Sequence, residues 1–361
     1  MALKAGRDKR ETTVASLGCN MKRDFAHPPR DTRLAKRSAA DSMGVLAYSM
    51  ASPRLTSLAA FFILLLSAFR SHAADAAAYV ISDSTTGFIL EEYHADKKLP
   101  IASLTKIATA MVVLDWSEAS NSDLGQMATV PPEAAQIAAG GGAGLQPGIS
   151  CSLRDLLYAA LMQSDNVAAL TLADHVGRAI GGNGAPVDNF VVQMNALART
   201  KGMKNTKFLN PHGLDNLERS VPYSSAEDLA KLTAYAMANS AFRFYVSQRE
   251  RKIAVSSPAG GQSAYLLRNT NELLGVNSID GVKTGTTTRA GQCLIISCGK
   301  PPDSRQEGET HIITPRRLNV VVLNAPNRFP LAQSLLARGW QLYDSWAGAG
   351  RPAKGWKAPR L

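Results

Sequence analysis

The spacing of apolar positions changes character along this chain. Short apolar runs from Ala78 to Asp83 and from Phe88 to Tyr93 flank the turn residues Ser84-Thr85-Thr86-Gly87, which predicts a β-hairpin. Pro100 then interrupts, and the nearly unbroken apolar run from Ile107 to Leu114 reads as a buried helix. After a glycine-rich loop, Gly140 to Gly144, the period stays helical. Ser152 and Asp155 form a cap before Leu156, Leu157, Ala160 and Leu161, and that helix stops at Gln163-Ser164-Asp165-Asn166. A second helix runs from Val167 to about Ile180. A third carries Phe190, Met194 and Leu197 on one face and ends at Gly202. Asn210-Pro211-His212-Gly213-Leu214-Asp215 is a turn, and Ser225 with Asp228 caps a helix reaching Ala238.

From Ile253 onward the pattern is that of strands. Ile253–Val255, Gly281–Lys283, Gln292–Ser297 and Leu318–Leu323 read as strands, and Pro330–Trp346 as a closing amphipathic helix. The polar stretch Lys300–Arg317 reads as a long hairpin loop. Two strands at the start, three or so at the end and helices between predict an α+β fold. An antiparallel sheet of about five strands is drawn from both chain ends around a helical middle region. No repeat or linker divides residues 75–347, which read as one domain. Residues 348–361, with Arg351, Lys354, Lys357 and Arg360 and no acid, read as a basic, disordered tail.

The N-terminus adds a destination. Ser57 to Phe69 is apolar, follows Arg54 and precedes Ser71-His72-Ala73, the order of a secretory signal peptide cut near Ala73 or Ala74. The run is short of the about 20 residues that span a bilayer, so no membrane anchor is expected after cleavage. Residues 1–74 thus read as an N-terminal extension and signal peptide, with Met43 or Met50 as alternative starts to Met1.

Charge changes the picture less than its total suggests. The formal net charge is +11, but residues 1–74 hold 12 Lys and Arg against 5 Asp and Glu, so only +4 remains for the rest of the 361 residues. That is no nucleic-acid footprint. Six scattered histidines show no metal-ligand spacing, and no metal or other cofactor is expected. Of four cysteines, Cys19 lies in the extension. Cys293 and Cys298 sit five apart on one predicted strand, hence on opposite faces, and with Cys151 read as small buried hydrophobes.

The candidate chemistry lies at element boundaries. Ser103 and Lys106 fall in the first turn of the buried helix, on one face, where a neutral amine can take the serine proton. Burial or a second cation would keep that amine neutral. This S-x-x-K spacing also occurs at Ser297–Lys300, so alone it decides nothing. Two further triplets give it company. In Ser164-Asp165-Asn166, Ser164 can relay a proton to a leaving amine and Asn166 can hold a peptide carbonyl. In Lys283-Thr284-Gly285, followed by Thr286, the lysine and the two hydroxyls can grip a carboxylate, while Gly285 clears space for a substrate strand.

Three motifs in this order, S-x-x-K, S-D-N and K-T-G, resemble the signature of penicillin-binding proteins and class A β-lactamases. The chain is most similar to the low-molecular-mass penicillin-binding proteins that act as D-alanyl-D-alanine carboxypeptidases. The likeness includes Leu145-Gln146-Pro147-Gly148, Asp155-Leu156-Leu157-Tyr158, Asn210 to Leu214 and Asn269-Thr270-Asn271-Glu272-Leu273-Leu274, and covers roughly Ala78 to Trp346. The resemblance implies a β-lactamase/transpeptidase-like fold, a peptidoglycan stem peptide ending in D-Ala-D-Ala as substrate, and β-lactams as covalent inhibitors. It also implies Ser103 as acylated nucleophile, Lys106 as its base, Ser164 and Asn166 as the second wall, Lys283 as the carboxylate contact, and the N–H groups of Ser103 and Thr286 as oxyanion hole.

Two departures stand out. Asp165 occupies a position that is commonly Gly in these carboxypeptidases, and the sequence stops about fifteen residues after the closing helix, without the second domain and membrane helix many members carry, so membrane anchoring is not implied. The alternatives are a D,D-endopeptidase with the same motifs, a β-lactamase, and a silent wall-binding domain. The E-x-x-L-N loop that serves class A β-lactamases in deacylation does not follow Asn166.

Overall fold

Two apolar layers, one on each side of a single sheet, organise the chain. The computed structural model describes residues 75–137, 144–215 and 220–359, so the extension, the signal segment and most of the glycine-rich loop lie outside the described residues. The sheet contains β1 (Ala78–Asp83), β2 (Ile89–Tyr93) and three later strands, β7 (Ile279–Thr287), β8 (Gly291–Glu307) and β9 (Thr310–Leu323). Its order is β2-β1-β9-β8-β7, antiparallel throughout, and the first strand pairs with the last from Ala78↔Leu323 to Asp83↔Leu318.

The alternation along these strands explains their unbroken hydrophobicity. Ala78, Val80, Val282, Cys293, Ile295, Val321 and Leu323 face a helical layer, whereas Tyr79, Ile81, Leu294, Ile296, Cys298, Val320 and Val322 face the closing helix α7 (Arg328–Gly348). A sheet covered on both faces needs apolar side chains at successive positions, each worth about 1.5–3 kcal/mol when fully buried. Cys293 and Cys298 fall on opposite faces, and with Cys151 they are buried, free thiols.

The helical layer surrounds α1 (Thr105–Ser120), in which every residue from Thr105 to Leu114 is buried. A helix buried on all sides carries no polar stripe, which is why its sequence reads as a continuous apolar run. A short 3-10 turn, Ala102–Leu104, leads into it. Around it lie α2 (Leu153–Met162), α3 (Asn166–Ile180), α4 (Pro186–Thr200), α5 (Ala226–Ala238) and α6 (Ser240–Val246). Capping fixes the starts of four of them. Ser152 accepts from Asp155 N, Asp165 from Ala168 N, Ser225 from Asp228 N, and Asn239 from Phe242 N.

Three readings need correction. The strand containing Ile253–Val255 is β5 (Glu250–Ser256), and it does not join the five-stranded sheet. It pairs with β6 (Gln262–Arg268) in a second sheet completed by β3 (Met127–Thr129) and β4 (Ser150–Ser152). The stretch Lys300–Arg317 is not a loop: β8 and β9 continue as a ribbon to a turn after Glu307, with a register shift between Lys300 and Asp303. That shift takes up Pro301 and Pro302, which lack the N–H a regular ladder needs.

The expectation of a disordered tail does not describe residues 349–359. Arg351 pairs with Asp303, Trp346 donates to the Pro352 carbonyl, and Trp356 packs edge-on against Phe88. An aromatic and an ion pair anchor what net charge alone suggests is loose. Among the described residues, no helix is long and apolar enough to cross a membrane.

Candidate active site

The site lies where the 3-10 turn, the α2–α3 turn and strand β7 meet. β7 is an edge strand, so one side of its backbone is open to pairing. Ser103 sits in the 3-10 turn and Lys106 in the first turn of α1, with the Lys106 amine 2.7 Å from Ser103 Oγ. Ala102, immediately before the serine, has a left-handed backbone (φ 48) although it is not glycine. Such residues are uncommon and cluster at functional sites.

Lys106 is fully buried. Besides Ser103, its amine donates to Asn166 Oδ1 at 2.8 Å and to the His212 main-chain carbonyl at 2.8 Å. Because Nζ is a donor, the Asn166 oxygen must face it, which leaves the Asn166 NH2 for another acceptor. Burial lowers the Lys106 pKa to about 7, against the opposing pull of the Asp165 carboxylate. The His212 ring is pushed down to about 3 by burial and by the Lys106 charge, and its Nδ1 accepts from Leu214 N.

Asn166 opens α3, and Ser164 stands two residues earlier, partly exposed and left-handed (φ 64). These are the residues expected to form a second wall of the cleft. On the opposite wall, Lys283 is buried, and its amine donates to the Thr284 carbonyl at 2.9 Å. Its pKa is held well below the ordinary lysine value, first by burial and then by the positive charges of Lys106 and Arg328.

Thr284 and Thr286 part company. Thr286 is exposed, and its hydroxyl donates to the Gly285 carbonyl and accepts from Arg328 Nη1 at 2.8 Å. Thr284 is buried, its hydroxyl 2.6 Å from that of Thr270, which in turn donates to the Met162 carbonyl at 3.2 Å. The Asn269-Thr270-Asn271 loop thus ties the end of α2 to β7 across the back of the cleft. Gly285 also differs from its expected role. The space it leaves is taken by the 3-10 turn, since a Cβ there would come 3.0 Å from the Ile101 carbonyl and 3.1 Å from Ser103 N.

The second S-x-x-K match is ruled out by its setting. Ser297 and Lys300 lie on β8, where Ser297 Oγ accepts from Arg317. Arg328 was legible only from the fold: it opens α7, a helix whose sequence signals nothing about β7, and reaches Thr286 and the Gly285 carbonyl across 42 and 43 residues of chain. The His212 carbonyl is main chain and has no side-chain signature at all. Among the described residues no cluster of His, Cys, Asp and Glu is arranged to hold a metal.

With this geometry in place, the comparisons are decisive. The family of D-alanyl-D-alanine carboxypeptidases, S11 peptidases, matches residues 67–326. The chain belongs to this family. It is 31% identical over 279 residues to the D-alanyl-D-alanine carboxypeptidase DacC of Escherichia coli, covering 75% of this chain and 62% of that protein. To the D-alanyl-D-alanine endopeptidase of Pseudomonas aeruginosa it is 35% identical over 221 residues, covering 60% of this chain and 65% of the relative. The match therefore spans less than two thirds of either relative's length. The fold is similar to that of the Streptomyces K15 DD-transpeptidase, with a TM-score of 0.62 and 28% identity over 74% of this chain and 96% of that one.

Proposed function

We propose that this S11 family member is an exported serine-type D-Ala-D-Ala carboxypeptidase that trims the terminal D-alanine from peptidoglycan stem peptides. The observation that carries the reading is the buried Lys106 amine, 2.7 Å from Ser103 Oγ and with a pKa near neutrality. A lysine in water is almost wholly charged at pH 7, whereas one with a pKa of about 7 is half neutral and able to take a proton.

The chemistry then follows in two halves. Ser103 Oγ attacks the carbonyl of the penultimate D-Ala while its proton passes to Lys106 Nζ, and the N–H groups of Ser103 and Thr286 hold the oxyanion. As the tetrahedral species collapses, the C–N bond breaks. The proton goes to the leaving amine through Ser164, giving free D-alanine and an ester on Ser103. Water, deprotonated by the same lysine, attacks the ester, and Ser103 recovers its hydrogen. The Asn166 NH2 holds a substrate carbonyl, and the substrate backbone lies along the open edge of β7.

The carboxylate that marks the chain end meets Thr286, Lys283 and Arg328. Arg328 carries a permanent charge, whereas Lys283 is buried, with its pKa held well below the ordinary lysine value by burial and by the neighbouring positive charges. The Thr284 hydroxyl, committed to Thr270, serves the wall and not the ligand. β-Lactams, which carry a carboxylate beside a strained amide, acylate Ser103 by the first half-reaction alone.

Export to the periplasm or cell envelope goes with this substrate. N-terminal sequencing of the exported protein is expected to begin between Ala74 and Ala78; an intact Met1 or Met50 outside the cytoplasm refutes cleavage. A D,D-endopeptidase is the second reading, and the likeness to the Pseudomonas enzyme favours it. Incubation with a pentapeptide ending in D-Ala-D-Ala and with a cross-linked dimer separates the two. Release of D-alanine from the pentapeptide supports the carboxypeptidase, and cleavage of the dimer alone overturns it.

A further inference from the structure

Lys106 Nζ is surrounded by three partners, and only one of them has a hydrogen to give. Asn166 Oδ1 and the His212 carbonyl, both at 2.8 Å, can only accept, whereas Ser103 Oγ at 2.7 Å can accept or donate. A neutral amine has two hydrogens and one lone pair. If Asn166 and His212 take the two hydrogens, the lone pair is left facing the Ser103 hydroxyl. If either acceptor moves away, the amine can turn a hydrogen toward Ser103 and cease to be a base.

One of these acceptors is main chain, so its position depends on the turn that presents it. Asn210 builds that turn: its Oδ1 accepts from Gly213 N at 2.6 Å and His212 N at 3.3 Å, and its Nδ2 donates to the Leu214 carbonyl at 3.0 Å. Thr109, one turn beyond Lys106 on α1, donates to the Pro211 carbonyl at 2.6 Å and pins the turn to the same helix. Gly213, left-handed at φ +83, lies directly against the Ala102 carbonyl, where a Cβ would overlap it. The turn is therefore clamped both to the helix of the base and to the residue preceding the nucleophile.

We infer that Asn210 is a positioning residue, which fixes the His212 carbonyl on the Lys106 amine so that its lone pair points at Ser103. The arrangement also suits what forms next. Once the Ser103 proton has moved to Nζ, the ammonium has three hydrogens and three acceptors, Asn166 Oδ1, His212 O and the now acylated Ser103 oxygen. No other group has to reorganise.

This inference rests on Lys106 as base, and its test separates the two claims. The rate of covalent labelling by a fluorescent penicillin is measured against pH for the full chain, for Asn210→Ala, and for Thr109→Val, which releases the turn by a different bond. The groups facing Lys106 are Asp165, Lys283 and the neutral His212 ring, and none of them is altered. An ammonium deprived of one acceptor is less stable, so the Lys106 pKa falls and the rising limb of the profile moves to lower pH.

The plateau is expected to drop roughly tenfold or more in both variants, because the lone pair is no longer held in line. Asn210→Ser, whose hydroxyl can still accept from the Gly213 N–H, should regain most of the rate. A merely structural role predicts a lower plateau in proportion to the folded fraction, with the limb unmoved and no rescue by serine; that result overturns the inference. Labelling of Lys106→Ala as fast as the parent would instead refute Lys106 as base.

Discussion

Gly285 on strand β7 lies against the backbone amide of Ser103, so close that a β-carbon would come 3.1 Å from that nitrogen. The two residues belong to motifs 182 positions apart in sequence, yet no side chain fits between them. Both 3.1 Å to Ser103 N and 3.0 Å to the Ile101 carbonyl are tighter than nearly all real contacts, and the atoms met are backbone, which yields poorly.

Gly285→Ala is therefore expected to push the 3-10 turn away from β7 by a few tenths of an ångström. Positioning errors approaching 1 Å cost about 100-fold in reactions of this kind, so a loss of roughly 10-fold in the acylation rate follows. Labelling by a fluorescent penicillin measures it, with the melting temperature as control. An unchanged rate would show that the turn tolerates the shift.

The pH profile offers a sharper check through Asp165. Its carboxylate caps α3 through Ala168 N and raises the Lys106 pKa against the lowering effect of burial. Asp165→Asn keeps the capping oxygen and removes the charge. The Lys106 pKa then falls below its present value of about 7, the neutral base persists to lower pH, and the acid limb of kcat/KM moves to lower pH. A limb that stays in place, or moves to higher pH, refutes the electrostatic link.

One hydroxyl of the tie between the cleft walls can be removed by itself, since Thr270 N still donates to the Met162 carbonyl and Asn271 Nδ2 to the Gly281 carbonyl. Thr270→Val keeps the shape and removes the bridge from Thr284 to the Met162 carbonyl, leaving the buried Thr284 hydroxyl without that partner. An unsatisfied buried hydroxyl costs about 1–3 kcal/mol, so the melting temperature should drop by several degrees while Thr270→Ser stays near the parent. Thermal unfolding of the three proteins decides it; equal stability of the valine variant would show that the bridge carries nothing.

Much of this was legible in the chain, for physical reasons that also explain what was not. Strands β1, β8 and β9 are buried on both faces, so their apolar runs stand out, and α1 is buried all round. The outer half of the β8–β9 ribbon buries no residue fully, is rich in polar side chains and has proline at positions 301, 302 and 315, so its sequence does not mark it as strand. In the site, Ser103, Lys106 and Asn166 come together as their motifs imply. The His212 carbonyl and Arg328 do not announce themselves: a main-chain acceptor leaves no residue signature, and a lone arginine at a helix start resembles any solvated cation. Thr284 and Gly285 stand side by side in the K-T-G triplet, but which neighbour each one meets depends on packing that only the folded chain defines.

Selectivity for the chain end rests on Lys283 and Arg328 together, and the two can be told apart. Lys283→Gln keeps much of the length and one donor but removes the titrating amine. A charged hydrogen bond is worth about 1.5–3 kcal/mol, so kcat/KM for a D-Ala-D-Ala peptide should fall roughly 10- to 150-fold. In the state where Lys283 carries its proton, its charge opposes an ammonium at Lys106, so its loss raises the Lys106 pKa and moves the acid limb to higher pH, opposite to Asp165→Asn. Arg328→Gln lacks that second effect to the extent that its guanidinium acts on Lys283 and not on Lys106. It should weaken binding of the acid substrate and leave the limb near its parent position. An amidated substrate, which offers no carboxylate, should be poor for the parent and lose little more in either variant. Equal losses on acid and amide in Lys283→Gln would show that Lys283 does not meet the carboxylate, and a limb shift in Arg328→Gln as large as that of Lys283→Gln would show that the two cations act on the base alike.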